Sequence, residues 1–288
     1  MPLLGAHMSI VGGFTTAIHQ AAAHGCPTVQ LFTKAPSQWT GKPIEQEQAF
    51  AFREAMTLHK VHLAVGHNSY LINLASPDDT LYERSLNALA DEIHRANQLG
   101  LRYLVMHPGA HVGAGEQAGL NRIIRGLDTL RNRCPSRTTL LLENTAGQGT
   151  CIGHRFEHLA DILAQVRDAS WLGVCFDTCH AFAAGYGLSS AEEYDATMGE
   201  LDRVVGLSRV QVFHINDSVK GRGSRVDRHA GLGRGQIGLE AFKLLMGDNR
   251  FADRPFVLET PKQEGDQTDM DAINLAILRD MDRQRAAG

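Results

Sequence analysis

Seven short apolar runs in this chain end on an imidazole or a carboxylate: LLGAH at His7, HLAVGH at His67, YLVMH at His107, TLLLE at Glu143, GVCFD at Asp177, VQVFH at His214 and FVLE at Glu259. An eighth run, TVQLFTK, ends at Lys34. The chain holds 14 His and 32 Asp or Glu among 288 residues, so chance would place roughly one or two such residues at eight run ends. His180, Asp227 and His229 lie close by in sequence. Imidazole nitrogen and carboxylate oxygen, without organised cysteines, suit zinc or manganese. One zinc takes about four protein ligands, so this surplus of candidates points to two or three ions with at least one bridging carboxylate.

Two clusters refine that reading. In FDTCHAFAAGY, Asp177 and His180 fall on either side of a strand end, so one can point inward while the other reaches from the following loop. In the glycine-rich loop NDSVKGRGSRVDRHAGLGRGQIG, Asp227 and His229 are two residues apart; in extended backbone they face the same way and could share one ion. Lys220, Arg222, Arg225 and Arg228 of that loop are expected either to meet phosphates or to form a solvated surface. Cys179, beside His180, is expected to be a small buried thiol rather than a ligand.

The elements that must position these groups alternate strand and helix. The runs are rich in Val, Leu and Phe without clean alternation, as parallel strands covered on both faces are. Between them lie FTTAIHQAAAHG, EQEQAFAFREAMTLHK, DDTLYERSLNALADEIHRANQLG, EHLADILAQVRDAS, SAEEYDATMGELDRVVG, LEAFKLLMG and DMDAINLAILRDMDRQR, all helical in pattern. The third opens after Pro77 and Asp78 and stops at Gly100. This count and length predict an α/β fold, a single-domain (β/α)8 TIM barrel over residues 1–288. A doubly wound sheet is the alternative, but HMSIVGGF after the first strand lacks the G-x-G-x-x-G spacing. In such a barrel the C-terminal strand ends form one catalytic face. Residues from His67 to Glu259 that recur 34 to 45 positions apart would therefore be neighbours there.

The composition, 43% hydrophobic and 21% charged, is that of a soluble enzyme. No run approaches the ~20 apolar residues of a membrane span, and MPLLGAHMSI is not a secretory signal, so a cytoplasmic location without membrane association is expected. The odd count of five scattered cysteines argues for free thiols.

HNSYLINLA, HPGAH, LENTAGQG, FDTCHAFAAGY, HIND, GSRVDRHAGLGRGQIG and LET resemble, in order and over nearly the whole chain, the motifs of the endonuclease IV family of apurinic/apyrimidinic endonucleases. The resemblance implies a (β/α)8 barrel holding three zinc ions, with manganese possible at one or more sites. It implies that His67, His107 and Glu143 bind the first ion, that Glu143 bridges to a second held by Asp177, His214 and Glu259, and that His180, Asp227 and His229 bind the third. Glu143, Glu259 and His180 are the members taken as catalytic. His7 is not a family ligand. The implied reaction is metal-assisted hydrolysis of duplex DNA 5′ to an abasic sugar, leaving a 3′-hydroxyl and a 5′-deoxyribose phosphate, together with cleaning of blocked 3′ ends. No obligate protein partner is implied.

Tyr70 and Leu71 match side chains that enter the DNA stack in the family, and extrusion of a nucleotide that has lost its base costs less than extrusion of a paired one. Ser37 stands where some relatives carry an arginine, so one DNA contact is expected to be missing. The formal net charge of −4 runs against DNA binding, but three divalent ions would bring it to +2, focused where phosphate binds. Two other functions suit the barrel. A sugar isomerase or epimerase would need fewer metals and leave His180, Asp227 and His229 without a use, and a non-catalytic lesion-binding protein would not need an intact ligand set.

Overall fold

Each apolar run becomes one strand of a barrel whose outer face is covered by helices. The structure, a computed structural model, describes residues 2–266 and 269–287. Among these residues, β1 (Leu3–His7), β2 (Thr28–Phe32), β3 (Leu63–His67), β4 (Tyr103–Met106), β5 (Thr139–Glu143), β6 (Leu172–Asp177), β7 (Val210–His214) and β8 (Pro255–Leu258) pair in parallel in chain order. The ring closes where β1 pairs with β8. The TIM barrel predicted from the alternation is thus the observed fold. No helix among the described residues is long and apolar enough to cross a membrane, and all five cysteines are free.

The helices α1 (Phe14–Ala23), α2 (Gln46–Leu58), α3 (Asp79–Leu99), α4 (Glu116–Arg133), α5 (Phe156–Gln165), α6 (Thr178–Ala184), α7 (Ala191–Val204), α8 (Leu239–Gly247) and α9 (Met270–Ala287) fill the crossovers. The ends of α3 follow its sequence signals. The Asp78 side chain accepts the Leu81 N–H at 2.7 Å, and Gly100 takes the left-handed conformation at φ 77 that a side chain would strain. The pattern of helical segments above leaves residues 116–133 unnamed, yet they form α4. Its buried stripe of Leu120, Ile123, Ile124, Leu127 and Leu130 is regular but narrow, because arginines and polar residues occupy the rest of its surface.

Strand periodicity explains how the rim is loaded. Val65, Val105, Leu141, Cys175, Val212 and Val257, with Tyr103, fill the inside of the barrel as one apolar plug. The residue two positions further along each of these six strands faces the same way. Those residues are His67, His107, Glu143, Asp177, His214 and Glu259. The intervening Met106, Leu142, Phe176, Phe213 and Leu258 point outward into the core shared with the helices.

Three sequence expectations need local correction. His107 and Glu259 lie one residue past the ends of β4 and β8. His180 sits in the first turn of α6, not in a loop, and its backbone N–H is capped by Asp177 Oδ1 at 2.7 Å. Lys34 is not a rim residue: β2 ends at Phe32, and Lys34 is buried in an ion pair with Glu92 of α3.

Candidate metal centre

The nine predicted ligands converge on the floor of one cleft of about 410 Å3 at the C-terminal mouth of the barrel, whose lining includes His67, His107, His180, Asp227, His229 and Glu259. Glu143 is at the centre and fully buried. Its Oε2 stands 3.2 Å from His67 Nε2 and 3.1 Å from His107 Nε2. Its Oε1 stands 2.8 Å from His214 Nδ1, which is also 3.2 Å from Glu259 Oε2 and 3.9 Å from Asp177 Oδ2. A third grouping joins His180 Nε2 to Asp227 Oδ2 at 3.2 Å and His229 Nε2 to Asp227 Oδ1 at 3.4 Å. The ligand atoms of His67, His107 and Glu143 lie within 4.8 Å of one another, as do those of His180, Asp227 and His229.

The far nitrogens of these rings decide what the near nitrogens can do. His67 Nδ1 lies 2.9 Å from the Asn68 carbonyl, His180 Nδ1 2.9 Å from the Asn144 carbonyl, and His229 Nδ1 3.2 Å from the Glu259 carbonyl. A carbonyl only accepts, so each Nδ1 carries hydrogen and each neutral ring turns a bare Nε2 inward. The Nε2 atoms of His180 and His229 are buried with no hydrogen-bond partner among the described residues. Bare nitrogens facing carboxylate oxygens repel unless a cation or a proton lies between them. Histidine held on its outer nitrogen and open on its inner one is the arrangement metal sites use, so this donor set fits divalent ions.

Metal ions aside, these groups set one another's charge. Burial would push the Glu143 carboxyl up, but the imidazoles of His214, His107 and His180 hold it well below the usual carboxylate range. Burial likewise opposes ionised Glu259, and His214 and His7 outweigh it. Burial disfavours charged His180, yet Asp177, Asp227 and Glu143 raise it well above the usual histidine value. His214 is raised in the same sense, against burial, by the Cys175 sulfur, Glu259 and Glu143. Asp227, despite partial burial, is drawn down to about 2 by His180 and His229.

The remaining predicted residues divide. Tyr70 is 69% exposed beside the cleft, its phenol pushed up to about 12 by burial of its inner edge and by Glu259, and Leu71 is half-buried next to it. Arg228 lines the cleft, while Lys220 and Arg225 are exposed on the same loop. Arg222 is turned away, bound to Glu193 of α7 at 2.9 Å and to the Gly185 carbonyl at 2.6 Å. Ser37 is exposed on the loop after β2. Burial pushes the Cys179 thiol up to about 12, consistent with an inert core residue.

Sequence reasoning did not single out the supports of the ligands. Asn216 donates to Asp177 Oδ2 at 2.7 Å and accepts the Glu259 N–H at 2.8 Å. Asn144 accepts the Asp177 N–H at 2.7 Å and donates to its carbonyl at 3.0 Å. Both stand inside motifs quoted above, within two residues of a ligand, and that closeness was their signal. A second His and Glu grouping, Glu116, His154 and His158, was also missed. There the Gly153 N–H donates to His158 Nδ1 at 3.1 Å, which leaves the neutral ring's proton on Nε2, and Arg155 already contacts Glu116 at 2.9 Å. That site has its own cation.

The family described as xylose isomerase-like TIM barrel matches residues 18–281. A protein of Chloroflexus aurantiacus named probable endonuclease 4 is 51% identical over 282 residues, 98% of each chain. Its namesake in Chloroflexus aggregans is 51% identical over 288 residues, the whole of both. The crystal structure of endonuclease IV from Thermus thermophilus superposes with a TM-score of 0.87 at 39% identity, covering 98% of this chain and 100% of that one. A D-tagatose 3-epimerase-like protein shares the fold alone, with a TM-score of 0.74 at 18% identity over 99% of this chain and 98% of that one.

Proposed function

The chain belongs to the endonuclease IV family of apurinic/apyrimidinic endonucleases, and on that premise we propose that it hydrolyses the DNA phosphodiester 5′ to an abasic site in base excision repair. The cut leaves a 3′-hydroxyl and a 5′-deoxyribose phosphate, and the same chemistry clears blocked 3′ ends. The observation that carries this reading is the convergence of five imidazoles and four carboxylates on one cleft floor, with the nitrogens of His180 and His229 buried and unpartnered among the described residues.

His67, His107 and Glu143 would hold one zinc, Glu143, Asp177, His214 and Glu259 a second, and His180, Asp227 and His229 a third; manganese accepts the same donors. Such ions lower the pKa of a bound water from 15.7 towards about 7 and stabilise charge developing on phosphate oxygens. The protein's own contribution is placement. Glu143, Glu259 and His180 are proposed as the catalytic members because each stands between two groupings. Glu143 turns one oxygen to His67 and the other to His214. His180 reaches both Glu143 and Asp227. Glu259 meets His214 through its carboxylate and His229 through its carbonyl.

The partner is duplex DNA, encountered in the cytoplasm. Tyr70 and Leu71 are proposed to enter the stack at the lesion, with Lys220, Arg225 and Arg228 on phosphates. Arg222 would have to leave Glu193 before it could join them. The test is incision of an end-labelled duplex carrying one reduction-resistant abasic analogue by protein bearing its native metals. A single cut on the 5′ side with a 3′-hydroxyl is expected. Intact DNA, or tight binding without a nick, would overturn the proposal.

A further inference from the structure

β2 brings no candidate ligand to the mouth of the barrel, and its inward residue is Gln30, fully buried beside His7 of β1 and Val65 of β3. At this level β3 places the apolar Val65 inside the barrel, and a buried amide is costly unless it is hydrogen-bonded. Gln30 uses both ends. Its Nε2 lies 2.5 Å from Glu259 Oε1 and 3.0 Å from His7 Nδ1, and its Oε1 lies 2.8 Å from His214 Nε2.

The partners fix which way the amide points. An ionised carboxylate only accepts, so the amide nitrogen must face Glu259, and the amide oxygen then faces His214. That oxygen also only accepts, so His214 Nε2 must carry hydrogen. A neutral His214 is thereby left with a bare Nδ1, the atom set among Glu143, Glu259 and Asp177. The second amide hydrogen goes to His7 Nδ1. His7 is thus tied into the same network from β1.

We infer that Gln30 is a positioning residue of the metal centre: it fixes the hydrogen of His214 on Nε2, so that Nδ1 is offered to the cation, and steers the carboxylate of Glu259 towards the same point. This rests on the proposal that these ligands hold metal. It gives the two strands that bring no ligand, β1 and β2, a role in holding those of β7 and β8. Outer hydrogen bonds of this kind typically change metal affinity by about tenfold to a hundredfold when removed.

The experiment compares the zinc-loaded protein with its Gln30→Leu variant, which keeps the bulk of the side chain and loses its hydrogen bonds. Zinc release to a competing chelator is followed for each ion, and the nitrogen resonances of His214 are read in 15N-histidine-labelled protein. The expected result is a folded variant that surrenders one ion per chain about tenfold to a hundredfold more readily while the others stay at wild-type affinity. In the wild type, His214 is expected to carry hydrogen on Nε2. Wild-type zinc retention by the variant would reduce Gln30 to a space-filling role and overturn the inference. So would hydrogen on Nδ1 of His214 in the wild type, a reading that does not need the variant to fold. A wild-type chain that holds zinc yet leaves abasic DNA intact would sink the functional proposal alone, while the zinc and nitrogen measurements would still decide this one. A wild-type chain that holds no zinc would sink both.

Discussion

His214 Nδ1 stands 2.8 Å from Glu143 Oε1, and both side chains are fully buried at the mouth of the barrel. A bare nitrogen and a carboxylate cannot rest so close without a positive charge between them. In the metal-free protein the charge is a proton; in the working enzyme it is proposed to be a metal ion.

The first prediction concerns the stability of the metal-free protein against pH. Glu143 and Glu259 are held below the ordinary carboxylate value of 4.5, so their contribution is present above that value and is lost as pH falls through their folded values. His180 and His214 are held above the ordinary value of 6.5, so theirs is complete below 6.5 and is lost as pH rises through their raised folded values. The chelated protein should therefore melt highest between about pH 4.5 and 6.5 and progressively lower as pH rises through the raised folded values of these histidines. Zinc should remove that alkaline loss, because ions replace the protons. Calorimetry with and without chelator checks this, and a metal-free Tm that keeps rising above about pH 6.5 would contradict it.

A second prediction follows from net charge. Three divalent ions would convert the formal −4 of the chain to +2 at the cleft. Folded but metal-stripped protein should bind an abasic duplex at least about tenfold more weakly than loaded protein at the same low salt, and the gap should narrow as salt rises. Equal affinities in a filter-binding or anisotropy titration would show that metal does not govern DNA binding.

Asp227 offers a clean test of the third ligand group, because it sits on a loop with its side chain 41% exposed. Asp227→Ala should alter the stability of the metal-free protein by no more than about 1 kcal/mol. It should also cost one bound ion per chain and lower incision by about 100-fold to 1000-fold. Metal analysis and single-turnover kinetics read the two effects separately; a variant with all its metal and its full rate would remove Asp227 from the centre.

Tyr70→Ala should leave Tm unchanged, since the ring is mostly exposed. Stacking on a base is worth about 1–3 kcal/mol, so affinity for abasic duplex should fall by roughly 5-fold to 150-fold. An unchanged Kd would return Tyr70 to a packing role against Phe32, whose ring centroid is 5.4 Å away.

Glu92 is predicted to matter through the loops it ties. It is buried against Lys34 and Thr33 after β2, and it accepts the Ser69 N–H at 3.2 Å on the segment that carries Tyr70. Glu92→Ala leaves the buried Lys34 with only Asp91, 3.9 Å away, and should destabilise the fold by about 3–5 kcal/mol. Denaturant unfolding measures this, and a loss under about 1 kcal/mol would mean that Asp91 alone keeps Lys34 paired.

Much of this was legible in the sequence because the C-terminal ends of parallel barrel strands share one rim. A His, Asp or Glu that ends a short apolar run falls on that rim, so His67, Glu143 and His214 could be placed without coordinates. Gln30 could not, since its meaning depends on where it sits around the ring relative to Glu259 and His214, which are 229 and 184 residues away in sequence. Arg222 and Arg228 belong to one basic loop, and composition could not tell that α7 supplies Glu193 to one while the other faces the cleft. Glu116, His154 and His158 repeat the ligand types, but they come from the start of α4 and from on or near the start of α5, so strand ends held no sign of them.

The most direct test of the central claim is to strip the protein of metal, add zinc in measured equivalents, and follow incision of a single-lesion abasic duplex in the same samples. Nine side chains acting as one three-ion centre predict little incision until the third equivalent is bound, then a single cut 5′ to the lesion. Full activity with one ion, or none with three bound, would contradict it.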